Sequence, residues 1–485
     1  MRPSVDVDKS TVQDHELLSA ASPAEGVPDG APNFSSNGLP FAEHPRPIPG
    51  LIPLPYGRRD RVKLPEDLSV SSSELLIASA SPMAYTTLPC DAGQGQTECL
   101  FYAGTKELFT DIPGFPLPQP QPMQPDPAYR IAPAPSKGLG LFSTRALKQG
   151  ELILSERPLM IVPPGIRLSL PESLSREQRI QYSLDERERV LSGCVQRMSP
   201  GNRAAFFSLA NSHKEDGSGP ILGIVRTNGL GLRGLRVDTD DATGCASMYS
   251  AVLKDIARLN HSCSANTKPI FDRGSLSYNL YAVRDVADGE ELTFHYVDSL
   301  APAVKRQEAL APYDLVCACD ACKNSSISDV RRAAITSFSP SPAVWAANKK
   351  LSDKWLVEQC MKQLRLIEKE KVQSRDEYHK VLAGLRDAYI CLGDAKSASK
   401  WAVRANKCVW AGGASTELED PAGSAYPSHP LWLTRKNGDL PGFMQALIQQ
   451  EMATLAVETC VRPSDLPPTG SGLAAMLKTL LFNLM

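Results

Sequence analysis

Long apolar runs are missing from this chain, and so is an excess of either charge. No uninterrupted apolar stretch reaches the ~18 residues that a membrane-spanning helix requires, so no membrane span is expected. Fifty-two Lys and Arg stand against 54 Asp and Glu, for a net charge of −2, and no bulk basicity argues for direct nucleic-acid binding. A protein partner or peptide substrate suits such a surface better. The opening Met-Arg-Pro-Ser-Val-Asp-Val-Asp carries no apolar signal stretch, and the 12 cysteines are spread along the chain. Together these indicate a reducing intracellular setting, nucleus or cytoplasm.

Prolines are present in quantity but unevenly placed. Of the 40, many fall in the first ~130 residues, in segments such as Pro113-Gly-Phe-Pro-Leu-Pro-Gln-Pro-Gln-Pro-Met-Gln-Pro, too proline-dense for regular structure. Residues 1–128 are expected to be mostly disordered, a linker or a docking ligand for aromatic grooves, with Cys90 and Cys99 as free thiols. The 485 residues leave room for two or three units at ~150 residues per domain.

Cysteines, sparse elsewhere, concentrate at one place. Cys317-Ala-Cys319-Asp-Ala-Cys322 follows Cys263 by 54 positions. Three thiols from one turn, with a fourth brought in by folding, can close a tetrahedral thiolate shell around zinc. Such a closed shell is structural, and it ties a mid-chain segment to one far downstream.

Around these thiols lie Arg258-Leu-Asn260-His261-Ser262-Cys263-Ser-Ala265-Asn266 and Gly289-Glu290-Glu291-Leu292-Thr-Phe-His-Tyr296. Upstream runs Ser136-Lys137-Gly138-Leu139-Gly140-Leu141-Phe142-Ser143-Thr144-Arg145, on to Gly150-Glu151. In this order the three segments resemble the signatures of the SET-domain lysine methyltransferases, ending in the cysteine cluster that family calls post-SET. The helical pattern of residues 170–213 divides the β segments, which is similar to the SET-and-MYND subgroup and its fungal relatives. The insert lacks the cysteine and histidine ladder of a MYND finger, since Cys194 and Cys245 are alone between the hairpin and Cys263. Two further departures are Leu315, where relatives often have an aromatic, and Ala265, where the motif usually has proline.

The resemblance implies an α+β chain. Residues 129–300 would form the SET β-fold with a helical insert at about 165–220, residues 301–325 the post-SET zinc segment, and residues 326–485 a helical region. Locally, Leu139 to Val162 reads as a hairpin with a following strand, Ile221 to Val225 and Leu276 to Val283 as strands, and Ser247 to Leu259 as a helix. Ser374-Arg-Asp-Glu377 fits a capping box opening a helix that ends at Gly393. A second helix starts at Asp394, and the pair resembles a tetratricopeptide hairpin, serving as a helical cap or as a peptide groove. Leu473 to Leu484 reads as a packing helix.

Methyl transfer from a sulfonium to an amine is an in-line displacement, so nitrogen, carbon and sulfur must be aligned and the lysine must be unprotonated. An apolar channel lowers a lysine pKa, and a phenol oxygen can meet the methyl group through weak C–H···O contacts. By the resemblance, Tyr296 and Tyr313 are the channel tyrosines. Lys137, Gly138, Leu139, Asn228, Asn260 and His261 are expected to hold S-adenosylmethionine together with Tyr296, and Cys263, Cys317, Cys319 and Cys322 to hold zinc. His295 reads as a strand-surface residue. The leading expectation is a protein-lysine methyltransferase acting on a histone or another protein. The alternatives are a catalytically weak SET scaffold that binds partners through its proline-rich and helical ends, and a zinc-stabilised binding module without cofactor.

Overall fold

The computed structural model describes residues 54–65, 83–90, 96–166, 170, 173–232, 235, 249–408 and 425–437, all within the compact unit 36–485. The expected helix at Leu473 to Leu484 lies outside them. In chain order the strands and helices are β1 (Met83–Leu88), β2 (Thr97–Tyr102), α1 (Glu107–Thr110), β3 (Tyr129–Ala134), β4 (Gly138–Ser143), β5 (Leu152–Glu156) and β6 (Met160–Val162). The insert follows as α2 (Arg176–Arg197), α3 (Pro200–Phe207) and α4 (Pro220–Asn228), then β7 (Leu230–Leu232), β8 (Tyr249–Val252), β9 (Asn260–His261), β10 (Thr267–Asp272), β11 (Ser277–Ala282) and β12 (Glu291–Phe294). The downstream helices are α5 (Ala303–Leu310), α6 (Asp320–Lys323), α7 (Ser325–Thr336), α8 (Pro342–Ala347), α9 (Trp355–Glu370), α10 (Asp376–Leu392), α11 (Ala395–Asn406) and α12 (Thr434–Asn437). The expected α+β architecture, with a helical insert inside the β fold and helices after the cysteines, is what the chain adopts.

The strands form three small sheets, ordered β1-β2-β6-β8-β7, β10-β11-β5 and β3-β4-β12-β9. Residues 1–128 were expected to be mostly disordered, yet β1 and β2 lie in that stretch. β2 is buried along its whole length between β1 and β6, and Cys99, its free thiol, is fully buried. The proline count misleads there because the apolar run Cys99 to Tyr102 is only a few residues long and still fills the centre of a sheet.

Four local expectations change as well. β4 pairs with β3 rather than with β5, which joins β11 in another sheet. Ile221 to Val225 is helical, because Pro220 opens α4 at its first turn and the Glu188 carboxylate accepts the N–H groups of Ile221 at 3.1 Å and Leu222 at 2.7 Å. A short apolar run reads equally as strand or buried helix until its cap is known. Residues 247–259, read as a helix, hold β8 and then a 3₁₀ turn Ile256–Arg258. Glu156 fixes that turn by accepting the N–H groups of Asp255 and Ile256, each at 3.0 Å. The Ser374 capping box does not form either: α10 has Arg375 at its N-cap with no side-chain bond, while Gly393 ends the helix at φ 71° as its missing Cβ permits. Asp394 does cap α11, accepting from the Ser397 N–H at 3.0 Å.

The downstream helices share a core with the β fold. Val283 and Leu300 pack in one cluster with Trp345, Leu356, Leu364, Tyr378 and Leu382. This places the C-terminal ends of β11 and β12 against helices, which matters for the residues between them.

Candidate functional site

The site begins where two distant segments cross. β9 pairs in parallel with β12, Thr293 opposite Asn260 and Phe294 opposite His261, and the Ser262 N–H donates to the Phe294 carbonyl at 3.1 Å. The chain leaving β12 then passes over the same turn. Tyr296 donates its hydroxyl to the Leu259 carbonyl at 2.6 Å and its N–H to Nδ1 of His261 at 3.0 Å.

His261 is the hinge of this crossing. Burial pulls its imidazole down to about 4, so at neutral pH the ring carries a single proton. Because Nδ1 accepts from Tyr296, that proton sits on Nε2. Nε2 lies 3.3 Å from Sγ of Cys263 and donates toward it.

Beside the crossing opens a cavity of about 480 Å³, and Lys137, Gly138, Leu139, Asn228, Asn260, His261, Tyr296 and Tyr313 all line it. The eight residues singled out in the sequence therefore share one space. Gly138 takes a positive φ of 76°, and a Cβ on Gly140 would meet Nδ2 of Asn260 at 2.9 Å, so the hairpin approaches the turn as closely as it does only with glycine there. Asn260 Nδ2 donates to the Leu139 carbonyl at 3.2 Å and to Glu291 Oε1 at 2.9 Å, while Lys137 Nζ meets Glu291 Oε2 at 2.9 Å. The amide N–H groups of Asn260 are thus spent on fixing the hairpin, and any hold on a ligand must run through its side-chain oxygen or its backbone. Asn228, at the end of α4, donates to the carbonyls of Ala210 and Ile224 at 2.7 Å each and pins the 208–212 loop to the cavity wall.

The two tyrosines form one side of the space. Their ring centroids are 5.1 Å apart, and burial holds the Tyr296 phenol well above its ordinary range, so the wall is aromatic and uncharged. Leu315 lines the cavity as well, an aliphatic face where an aromatic was the family expectation. His295, expected on a strand surface, is instead 1% exposed with neither ring nitrogen hydrogen-bonded. Burial keeps it neutral, well below its usual range.

On the far side of His261 the sulfur atoms of Cys263, Cys317, Cys319 and Cys322 lie within 4.8 Å of one another. A tetrahedral thiolate site with metal–sulfur bonds of about 2.3 Å has sulfurs about 3.8 Å apart. Cys263 lies 3.9 Å from Cys317 and 3.6 Å from Cys322, so this cluster could hold a metal ion, and its all-thiolate donor set fits zinc. Hydrogen bonds from the Cys263 and Cys317 thiols pull Cys322 below the usual thiol range. Gln307 brackets the backbone of Cys317, donating to its carbonyl at 2.8 Å and accepting its N–H at 3.1 Å, and Arg306 places Nη2 3.7 Å from Sγ of Cys322.

Sequence reasoning missed Arg332. Fully buried in α7, it donates to the carbonyls of Cys263 (2.8 Å) and Ser299, to Ser264 Oγ (3.1 Å) and to Glu370 Oε2 (3.1 Å). One guanidinium thereby holds the cysteine turn, the segment after Tyr296 and the end of α9. A basic residue on an amphipathic helix gives no signal of this, because its acceptors are backbone carbonyls brought near only by folding.

The parallel crossing of two distant strands and the glycine-rich strand β4 against it fall within one stretch that matches a known family. The family model described as "SET domain" matches residues 138–297. The chain is 28% identical over 210 residues to the histone-lysine N-methyltransferase set5 of Schizosaccharomyces pombe, covering 42% of this chain and 54% of that protein. It is 37% identical over 82 residues to the N-lysine methyltransferase SMYD2-B of Danio rerio, 17% of this chain and 18% of that one, and 26% identical over 136 residues to the histone-lysine N-methyltransferase Smyd1 of Mus musculus, 26% of each. The chain spans about half the length of the fission-yeast relative and less of the other two. It carries a SET domain and is related to the SMYD-like lysine methyltransferases.

Proposed function

We propose that this protein is a protein-lysine N-methyltransferase that uses S-adenosylmethionine and holds one zinc as a structural clamp. The observation that carries the reading is the gathering of Lys137, Gly138, Leu139, Asn228, Asn260, His261, Tyr296 and Tyr313 around one cavity. When bound, the cofactor supplies a methyl group made electrophilic by its sulfonium. The chain's own residues do the rest. The hairpin at Lys137 to Leu139 offers backbone groups at close range, and Asn228 and Asn260 fix the walls on either side. An apolar channel walled by Tyr296 and Tyr313 would strip water from an ammonium and so favour the free amine of a lysine. The Tyr296 oxygen, its proton committed to the Leu259 carbonyl, keeps lone pairs for weak C–H···O contacts that align the transferring carbon.

Cys263, Cys317, Cys319 and Cys322 would hold the zinc and lock the turn that carries His261. The substrate would be a protein lysine, on a histone or another protein. The proposed divisions are the SET β fold over 129–300, the post-SET segment over 301–325 and a helical region from 326. Arg332 favours that region as a cap on the core over a peptide-binding array, and the α10–α11 pair is the tetratricopeptide-like element within it. Among the described residues no helix is long and apolar enough to cross a membrane.

The test is incubation of the purified protein with methyl-labelled S-adenosylmethionine and a cell extract, followed by hydrolysis and identification of the labelled amino acid. Methylated lysine is expected. If no protein takes up label while the chain still assembles with partners through its terminal regions, the scaffold reading replaces this one.

A further inference from the structure

We propose that Arg258 is the residue that recognises a carboxylate in the cavity, and that this carboxylate is the amino-acid end of the cofactor. The inference rests on the methyltransferase reading for the identity of the ligand, not for the site.

Two long cationic side chains line the cavity, Lys137 and Arg258, and they stand in different electrostatic positions. Lys137 is neutralised by Glu291 at 2.9 Å, and the second oxygen of that carboxylate is taken by Asn260. Arg258 makes one side-chain hydrogen bond, from Nη2 to Ser208 Oγ at 2.8 Å, and among the described residues no carboxylate comes within ion-pair reach of it. Among the described residues its remaining N–H donors meet no protein acceptor, and a guanidinium presents them as a planar fork that matches a carboxylate.

The side chain is held in place for this. Ser208 donates its own hydroxyl to the Ala205 carbonyl at 2.7 Å, so its lone pairs face Arg258 and the polarity of the contact is fixed. The backbone of Arg258 sits in the 3₁₀ turn Ile256–Arg258, whose first N–H groups are bound by Glu156. Such ordering ahead of binding reduces what association must spend on immobilising a long side chain.

Asp314 lines the same cavity and is likewise without an ion-pair partner among the described residues. Among the described residues the cavity lining therefore carries one cation and one anion without ion-pair partners, the two signs of charge that a group with both an ammonium and a carboxylate requires. That pairing favours the zwitterionic end of S-adenosylmethionine over a lone acidic side chain beside the target lysine.

The test uses the full chain and two ligand pairs: S-adenosylhomocysteine against its decarboxylated form, and lysine peptides with Glu against Gln next to the lysine. Titration calorimetry is run on wild type, Arg258→Met, Arg258→Lys and Ser208→Ala, each with its melting curve. Wild type should prefer the carboxylate-bearing nucleoside by about tenfold or more. Arg258→Met should erase that preference and leave affinity for the decarboxylated ligand unchanged, while Arg258→Lys and Ser208→Ala should keep part of it. A preference erased in the peptide pair alone keeps Arg258 as the carboxylate reader but moves the carboxylate to the substrate, overturning the second half of the proposal. If a folded Arg258→Met, or the milder variants where that one does not fold, weakens both members of each pair equally or neither, the proposal is overturned. Wild type that binds neither nucleoside refutes the cofactor reading itself, and the peptide pair alone then decides on Arg258.

Discussion

The thiol cluster and the cavity sit on opposite sides of His261 and are assembled in opposite ways. Three of the four thiols come from one six-residue stretch, Cys317 to Cys322, and their chemistry needs little beyond four sulfurs at bonding distance. The cavity takes residues from the hairpin, the insert, the 3₁₀ turn, β9 and the segments around Tyr296 and Tyr313, and most of these act by backbone position. Loss of a member should therefore be all-or-none on the cluster side and graded on the cavity side.

The largest effect is expected from the cluster. Cys319→Ser should drop bound zinc from one equivalent toward none and destabilise the fold by at least about 4 kcal/mol, because metal binding is coupled to folding. Elemental analysis with thermal melts checks both, and a metal-free preparation with an unchanged melt would break the comparison. Next comes the guanidinium that ties the cysteine turn to the segment after Tyr296. Arg332→Met should cost about 3–5 kcal/mol, since it leaves the buried carbonyls of Cys263 and Ser299 without their donor and strips Glu370 of one of its partners, Arg331 and Ser328 remaining, and denaturant unfolding measures this. A loss below about 1 kcal/mol would show that water replaces those bonds.

On the cavity side, Tyr296→Phe should keep the fold and hold cofactor affinity within about twofold, yet slow methylation by about hundredfold, because the hydroxyl acts on the transition state. Single-turnover rates beside calorimetry separate the two quantities, and full activity in the variant would remove Tyr296 from its assigned role. The smallest effect lies away from both sites. Lys268 is 1% exposed, 3.4 Å from Asp376, and burial lowers it from 10.5 to about 8. Between those values the unfolded chain keeps the proton that the folded chain has released, so this group makes stability rise with pH across that window. Lys268→Met should lack that rise, and its stability relative to wild type should fall by about 2–3 kcal/mol from pH 8 to pH 10.5. Parallel pH curves for the two proteins would contradict the assignment.

The same contrast explains what the sequence disclosed. The Cys-x-Cys-x-x-Cys spacing stated the cluster outright, since three thiols in six residues have few other uses. The cavity was legible only through whole motifs, because Gly138 and Asn260 carry meaning together and little alone. The roles of Arg258 and Arg332 stayed hidden: Arg258 opened the quoted motif with no task assigned and Arg332 lay in a region read only as helical, and what distinguishes them is the partner that folding supplies or withholds. The strands β1 and β2 were missed because composition was averaged over a proline-rich region that contains a short buried sheet core. Ile221 to Val225 was misread because the Glu188 cap lies 33 residues upstream of Ile221.

The grip of Arg332 on Cys263 and Ser299 also bears on where this protein can be cut. A fragment that stops at residue 297, where the SET match ends, keeps His261 and Tyr296 but parts with three of the four thiols, with Tyr313 and with the guanidinium that binds both crossing segments. The fold that encloses the cavity is therefore larger than the segment that the family model matches. The shortest self-sufficient piece must run at least through Glu370, the residue that anchors Arg332 from the end of α9.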